Sequence, residues 1–333
     1  MSRFDHLLAR AYLAGPGRVG IPCIAPCEHL PDTMQTTRSL ARVRAHSVPR
    51  SLGLAAAIAV AACTSTATNN THAPSVTRQN MSPKEQVRAL IVSIETGDHA
   101  PIAAIDAQHY KQHNLGAADG LAGFGELMSK LPKGSARARP VRVFQDGDFV
   151  FAHTQYDFFG PKIGFDVFRY EGGKIVEHWD NLQTTPSAAN PSGHTMIDGA
   201  TEVVDLDRTA ANKEIVGAFL DDVLVHGRMD KLATYFDGDA YVQHNPQVAD
   251  GLSGLGAALA EMAKHGVVMK YAKVHRVLGE GNFVLAVSEG TFGDKPTAFY
   301  DLFRVHAGKL AEHWDVIETI PPRSEWKNDN GKF

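Results

Sequence analysis

Two short stretches carry the side chains best suited to moving protons. One is Glu177-His178-Trp179-Asp180 and the other is Glu312-His313-Trp314-Asp315. In a β-strand successive side chains point to opposite faces, so His178 and Asp180 share a face, as do His313 and Asp315. An imidazole beside a carboxylate is an acid/base couple, because the carboxylate orients the ring and supports its protonated form. Asp166 and Asp301, each opening an Asp-hydrophobe-Phe-Arg segment upstream, are expected on the neighbouring strand with Phe168 and Phe303 on the same face. His113 and His244 come from a short strand further upstream and complete the candidate catalytic set. A pocket with His and Asp on apolar walls could take a proton next to a carbonyl and return it elsewhere. That chemistry covers aldol closure, double-bond migration and dehydration.

The same residues have plainer duties. Buried polar groups must be paired whether or not they react, so His178 and His313 could be satisfied core residues, and His113 and His244 could hold loop backbone. Arg169 and Arg304 are expected to pair with Glu177 and Glu312, and Trp179 and Trp314 to pack at a sheet–sheet interface. Metal ligation by His113, His178 and Asp180 fits the ligand types, but no short ligand spacing supports it. His153 aligns with Val287, so any role it has would differ between the two halves.

These stretches are the ends of a long internal repeat. Tyr110-Lys111-Gln112-His113-Asn114 returns as Tyr241-Val242-Gln243-His244-Asn245, and Asp119-Gly120-Leu121 as Asp250-Gly251-Leu252. The offset is 131 residues at the first motif and 135 at the last, a drift that loop insertions explain. A repeat of this size reads as a duplicated globular domain, not a solenoid. The 333 residues suit about two domains.

The chain is mildly acidic, with a net charge of −4 and no Lys/Arg block after the leader, so nucleic acid is not an expected partner. Its cysteines, Cys23, Cys27 and Cys63, all precede the repeats, so neither disulfide nor thiolate zinc can hold the domains. Residues 1–62 read as a leader, with Met34 a plausible true start. Arg38, Arg42, Arg44 and Arg50 form a basic region, and Leu52 to Ala62 an apolar one too short to span a membrane. It ends in Val60-Ala61-Ala62-Cys63, which resembles a bacterial lipobox with Cys63 as the lipidated residue. The expected localisation is an exported lipoprotein of the cell envelope, held to the membrane by its lipid alone. Residues 63–80, rich in Thr, Asn and Ser, read as a flexible tether.

The elements that must position the motifs follow from pattern. Ser82-Pro83-Lys84-Glu85 is a capping box, and Val87, Leu90, Ile91 and Ile94 form one helix face. A short helix after Pro101, a short strand at 110–114 and a helix capped by Asp119 come next, then strands near 138–146, 148–158, 163–171 and 174–183. On the last strand Val176, His178, Asp180 and Leu182 are expected on one face, and Ile175, Glu177, Trp179 and Asn181 on the other. The order recurs in the second half. The domains are expected at 81–186 and 209–322, with a linker at 187–208 and a tail at 323–333. Helices followed by a strand meander define an α+β class.

Together the motifs Tyr-x-Gln-His-Asn, Asp-Gly-Leu, Asp-x-Phe-Arg and Gly-Lys-x-x-Glu-His-Trp-Asp resemble bacterial SnoaL-like proteins of the nuclear transport factor 2-like superfamily. The resemblance covers about 84–186 and 210–322. It implies two tandem cone-shaped α+β barrels, each with three helices packed in a curved, mainly antiparallel sheet. It also implies a small-molecule ligand or substrate, no cofactor, and packing of the domains sheet against sheet as an internal pseudo-dimer. The family's polyketide cyclases imply an acid/base His or Asp in the cone. The expected function is therefore cofactor-independent acid/base catalysis on a small carbonyl compound. The alternative is a non-catalytic lipoprotein that binds a small apolar ligand in the cones, since one fold hosts many functions.

Overall fold

The computed structural model describes residues 81–132 and 134–333. The leader, Cys63 and the tether lie outside the described residues.

Helix α1 (Pro83–Thr96) starts where the sequence places it. Ser82 Oγ accepts from Glu85 N at 3.4 Å, the Glu85 carboxylate accepts from Ser82 N at 2.7 Å, and Gly97 at φ 69° ends the helix. Strand β1 (Lys111–Gln112) and helix α2 (Gly120–Lys130) lead into the meander β2 (Arg137–Asp146), β3 (Phe149–Asp157), β4 (Pro161–Glu171) and β5 (Lys174–Thr184). The second repeat gives α3 (Thr209–Phe219), β6 (Val242–Gln243), α4 (Gly251–Lys264), β7 (Met269–Glu280), β8 (Phe283–Phe292), β9 (Lys295–His306) and β10 (Lys309–Thr319). The strand orders match: β1-β5-β4-β3-β2 and β6-β10-β9-β8-β7. Within each sheet the meander is antiparallel, and the short first strand runs parallel to the last. The fold is α+β, with two curved mainly antiparallel sheets, each wrapped on helices.

Three apolar clusters follow from strand parity. One, with Val87, Leu90 and Phe168, fills the space between α1 and the first sheet. Another, with Val216, Phe219 and Phe303, does the same for the second. The third joins the outer faces of the two sheets through Phe144, Phe151, Phe165 and Trp179 on one side and Phe283, Leu285, Tyr300 and Trp314 on the other. Trp179 and Trp314 are 2% and 0% exposed there. Each buried indole contributes up to about 4–6 kcal/mol at ~25 cal/mol per Å². The contacts are reciprocal: Arg142 lies 4.3 Å from the Trp314 ring centroid and Arg276 lies 4.0 Å from that of Trp179.

Two expectations about single residues fail, each for a local reason. Ile175 does not join the tryptophans on the outer face, and neither does its counterpart on β10, Leu310. A bulge between Ile175 and Glu177, and another between Leu310 and Glu312, breaks the alternation and turns both side chains into the helix-facing cores. Asp119 and Asp250 occupy N-cap positions without capping, because their carboxylates accept instead from Gln112 N and Gln243 N, both at 2.9 Å.

Candidate active site

The second repeat encloses a cavity of about 670 Å³ between its sheet and helix α4. Phe219, Leu255, Leu259, Met262, Phe292 and Phe303 supply apolar wall, and Asp301, His313 and Asp315 lie on the sheet side. The strands dictate this grouping. His313 and Asp315 are two apart on β10, and antiparallel register sets Asp301 directly opposite Asp315.

Parallel pairing of β6 with β10 places Gln243 beside His313. Gln243 Oε1 lies 3.1 Å from His313 Nδ1, and the amide's other end donates to the Tyr241 hydroxyl at 3.3 Å. An acceptor at Nδ1 keeps a proton there, so the 3.1 Å contact of Nε2 with Asp301 Oδ1 is a hydrogen bond when a second proton is held between them. Phe303 stacks on the ring at 4.7 Å and holds its plane. The Tyr271 hydroxyl sits 3.2 Å from each Asp301 oxygen. The imidazole–carboxylate couple is thus His313–Asp301. Asp315 is a separate carboxyl: its Oδ2 accepts from Asn245 Nδ2 at 2.7 Å, and its buried Oδ1 has no partner among the described residues. Burial pushes the Asp315 carboxyl up, nearby Asp301 adds to the effect, and His313 opposes it.

The first repeat builds the same polar set. His178 meets Gln112 Oε1 at 3.0 Å through Nδ1 and Asp166 Oδ1 at 3.3 Å through Nε2, with Phe168 stacked at 4.6 Å. Asn114 Nδ2 donates to Asp180 at 2.6 Å. One tyrosine has changed strands. In the first repeat Tyr156 on β3 donates to Asp166 at 2.7 Å, and its cross-strand partner on β2 is Ala138. In the second repeat Tyr271 stands on β7 opposite Gly290 on β8. A Cβ on Gly290 would come within 1.8 Å of the Lys270 carbonyl oxygen, so β7 approaches too closely there for a side chain.

Of the sequence-derived candidates, Asp166, His178 and Asp180 come together, as do Asp301, His313 and Asp315. His113 and His244 do not join them. Each follows the glutamine that faces the site, so alternation sends it to the opposite side of the sheet. There His113 stacks on Trp179 at 4.6 Å and bonds Glu177 at 3.0 Å and the Gly331 carbonyl at 2.8 Å. His244 stacks on Trp314 at 4.6 Å and bonds Glu312 at 2.9 Å and the Thr195 carbonyl at 2.8 Å. These are structural histidines. A metal set of His113, His178 and Asp180 is excluded by the same parity. The donor atoms of Asp301, His313 and Asp315, and of Asp166, His178 and Asp180, do lie within 4.8 Å of one another, a spacing a divalent cation could use. The expected pairs Arg169–Glu177 and Arg304–Glu312 form at 2.7 and 2.6 Å. His153 faces away from the site, stacked on Phe165 with Nδ1 3.2 Å from Arg142 Nη1; burial and that cation hold its pKa well below the usual histidine range.

Sequence reasoning missed Gln112, Gln243, Asn114, Asn245, Tyr156 and Tyr271 as parts of the site. The signal for the first four was present: Tyr-x-Gln-His-Asn repeats, and strand parity assigns the glutamine to the inner face. No signal announced the tyrosines, because they sit at different positions in the two repeats.

A curved sheet on helices with a His–Asp couple at its cavity defines a class of α+β cone with a polar inner face. Residues 216–313, most of the second repeat, match the model of the SnoaL-like domain family. Among solved structures the chain is similar to a candidate ketosteroid isomerase from Kribbella flavida (15% identity, TM-score 0.28, 34% of this chain and 84% of that one). It is also similar to a candidate polyketide cyclase from Streptomyces antibioticus (16% identity, TM-score 0.27, 31% and 93%). A third is a nuclear transport factor 2-like protein of unknown function from Burkholderia xenovorans (19% identity, TM-score 0.30, 37% and 99%). No curated protein matches the chain.

Proposed function

We propose that the second cavity performs cofactor-independent proton transfer on a small apolar carbonyl compound, in a reaction of the aldol, isomerisation or dehydration type. The observation that carries this reading is Asp315: a buried carboxyl at the wall of a cavity of about 670 Å³, with one oxygen unpartnered among the described residues and the His313–Asp301 couple beside it. A carboxyl pushed up by burial is a stronger base once ionised and holds its proton at higher pH, both of which suit a general acid/base. In this mechanism ionised Asp315 takes a proton from the carbon next to the carbonyl. The proton held between His313 and Asp301 stabilises the enolate oxygen electrostatically, and Asp315 returns the abstracted proton to a different atom.

The test is exchange of the methyl protons of 2-acetylnaphthalene in deuterium oxide, followed by mass spectrometry. The protein should accelerate exchange over buffer, and Asp315→Asn should remove the acceleration. Exchange at the buffer rate, or exchange indifferent to Asp315→Asn, would overturn the reading.

This reading includes two domains, 81–186 and 209–322, packed as an internal pseudo-dimer. The reciprocal Arg142–Trp314 and Arg276–Trp179 contacts support it. It also includes an exported lipoprotein anchored through Cys63. The basic, apolar leader ending in Ala61-Ala62-Cys63 supports that, and mass spectrometry finding an unmodified Cys63 would defeat it.

A further inference from the structure

The wall of the second cavity is not made by the second repeat alone. Gln183, at the end of β5 in the first repeat, lines it together with Thr297, Ile317 and Thr319. Its side chain is held from one end. Gln183 Oε1 accepts from the backbone N–H of Ile317 at 2.9 Å. That bond leaves the Nε2 amino group without a hydrogen-bond partner among the described residues, at the wall of an otherwise largely apolar space.

The corresponding position on the second sheet is spent differently. Glu318 accepts from Leu182 N at 3.4 Å, as Gln183 accepts from Ile317 N, so the two strand ends exchange side chains reciprocally. Glu318 is also ion-paired to the buried Lys332, whose Nζ donates in addition to the Asp180 carbonyl at 2.8 Å. A carboxylate has no donor to offer, and this one is already occupied by an ammonium. Of these two strand-end residues, Gln183 is the one that presents a neutral donor.

Strand geometry gives the spacing. On β10 Ile317 lies four residues beyond His313 and two beyond Asp315, which at ~3.3 Å per residue is about 13 Å and about 7 Å. Gln183 therefore lies beyond Asp315 from His313, with Phe219, Leu255, Leu259, Met262, Phe292 and Phe303 as apolar wall around them. Resting on the assignment of Asp301, His313 and Asp315 as the reacting end, we propose that Gln183 is a specificity-determining residue supplied by the first repeat. It selects apolar molecules that carry a neutral hydrogen-bond acceptor at the end remote from the reacting carbonyl.

The experiment compares two rigid ketones by calorimetric titration of the whole protein. The probes are 2,6-diacetylnaphthalene, with an acceptor at each end, and 2-acetylnaphthalene, with one. The unsubstituted protein should bind the diketone about tenfold more tightly, the effect of one added buried hydrogen bond plus the diketone's two equivalent orientations. Gln183→Leu should reduce that preference to about the twofold statistical factor of the symmetric diketone and leave 2-acetylnaphthalene binding unchanged. Gln183→Glu keeps the shape and the acceptor for Ile317 N–H but removes the donor, so it should lose the preference as well. Near-ultraviolet circular dichroism of Trp179 and Trp314 reports whether the sheet packing survives each change. No preference in the unsubstituted protein, or a preference that persists in both variants, overturns the proposal and leaves the reacting end untouched. Equal loss of both ketones in both variants overturns it too, since Gln183 would then be structural only. Failure of the unsubstituted protein to bind either ketone overturns the site assignment, and this inference with it.

Discussion

Asn190 and Asn328 do the same work for opposite halves of the molecule. Asn190, in the segment that follows the first repeat, donates through Nδ2 to the carbonyls of Gln243 at 2.7 Å and Val248 at 3.0 Å in the second repeat. Asn328, in the segment that follows the second repeat, donates to Asn114 at 2.8 Å and Ala117 at 2.9 Å in the first. Ala117 and Val248 are equivalent positions, and each asparagine is followed three residues later by a glycine of positive φ, Gly193 or Gly331. The internal repeat thus extends into the strap after each last strand, and the straps are exchanged. Each strap also reaches the structural histidine of the repeat it crosses, through the Thr195 and Gly331 carbonyls.

The straps should be a measurable source of stability. Asn328→Ala removes both donations and takes this partner from the Ala117 carbonyl, while the Asn114 carbonyl keeps the Ala117 N–H at 3.1 Å, which costs about 1–3 kcal/mol. Asn190→Ala should cost a similar amount. Urea unfolding followed by tryptophan fluorescence checks both, and a change within error for either would show that its strap is not holding its repeat.

Arg142 should pin the linker more firmly still. Its guanidinium donates to the carbonyls of Ala200, Ile197 and Asp198 at 2.7, 3.0 and 2.6 Å, and burial pulls its pKa down to about 10. Arg142→Met keeps the bulk over Trp314 and removes the guanidinium from the carbonyls of Ala200 and Ile197, while Asp198 keeps the Trp314 indole N–H at 2.8 Å, at a cost of about 3 kcal/mol. Hydrogen exchange should then speed up for the amides of 197–200 before the rest of the second repeat opens. Uniform protection across that segment would argue against this role.

Much of this architecture is legible in the sequence, and the exceptions have local causes. Element order, both capping-box partners and the Arg–Glu pairs follow from periodicity and residue type. The site follows as far as parity carries it: Asp166 meets His178, and Asp301 meets His313. Parity fails at Ile175 and Leu310 because a bulge is set by cross-strand register, which no single strand displays. His113 and His244 look like catalytic residues by type, yet the residue that faces the site is the glutamine before each. Gln183 could not be found from sequence, since it reaches a cavity otherwise built by the other repeat.

The tyrosine exchange predicts unequal consequences. Tyr271 contacts Asp301 in the second repeat, and Tyr156 contacts Asp166 in the first. Tyr271→Phe removes the hydroxyl's hydrogen bonding to Asp301, about 1.5 kcal/mol, and should slow exchange of 2-acetylnaphthalene by about tenfold. Tyr156→Phe should leave that rate unchanged if the second cavity is the one that reacts. Gly290→Ala, with its Cβ driven into the Lys270 carbonyl, should cost about 3 kcal/mol of stability.

Asp315 should trade stability for reactivity, and the sign of the trade can be fixed. Burial raises its carboxyl above the ordinary aspartate value in the folded chain. The folded state therefore binds the proton more tightly than the unfolded state. In the pH range between the ordinary aspartate pKa and the raised one, the unfolded state releases more protons, so stability falls as pH rises. Below that range both states are protonated and the contribution to stability is fully present; above it the contribution is lost. Asp315→Asn mimics the protonated carboxyl, and its amide oxygen can still accept from Asn245. The variant should match the parent at acidic pH and exceed it at neutral pH, while losing proton exchange on the ketone. Urea midpoints of both proteins from pH 4 to pH 8 decide the matter: parallel curves would mean that Asp315 titrates as an ordinary carboxylate, and the case for it as the acid/base would fall with them.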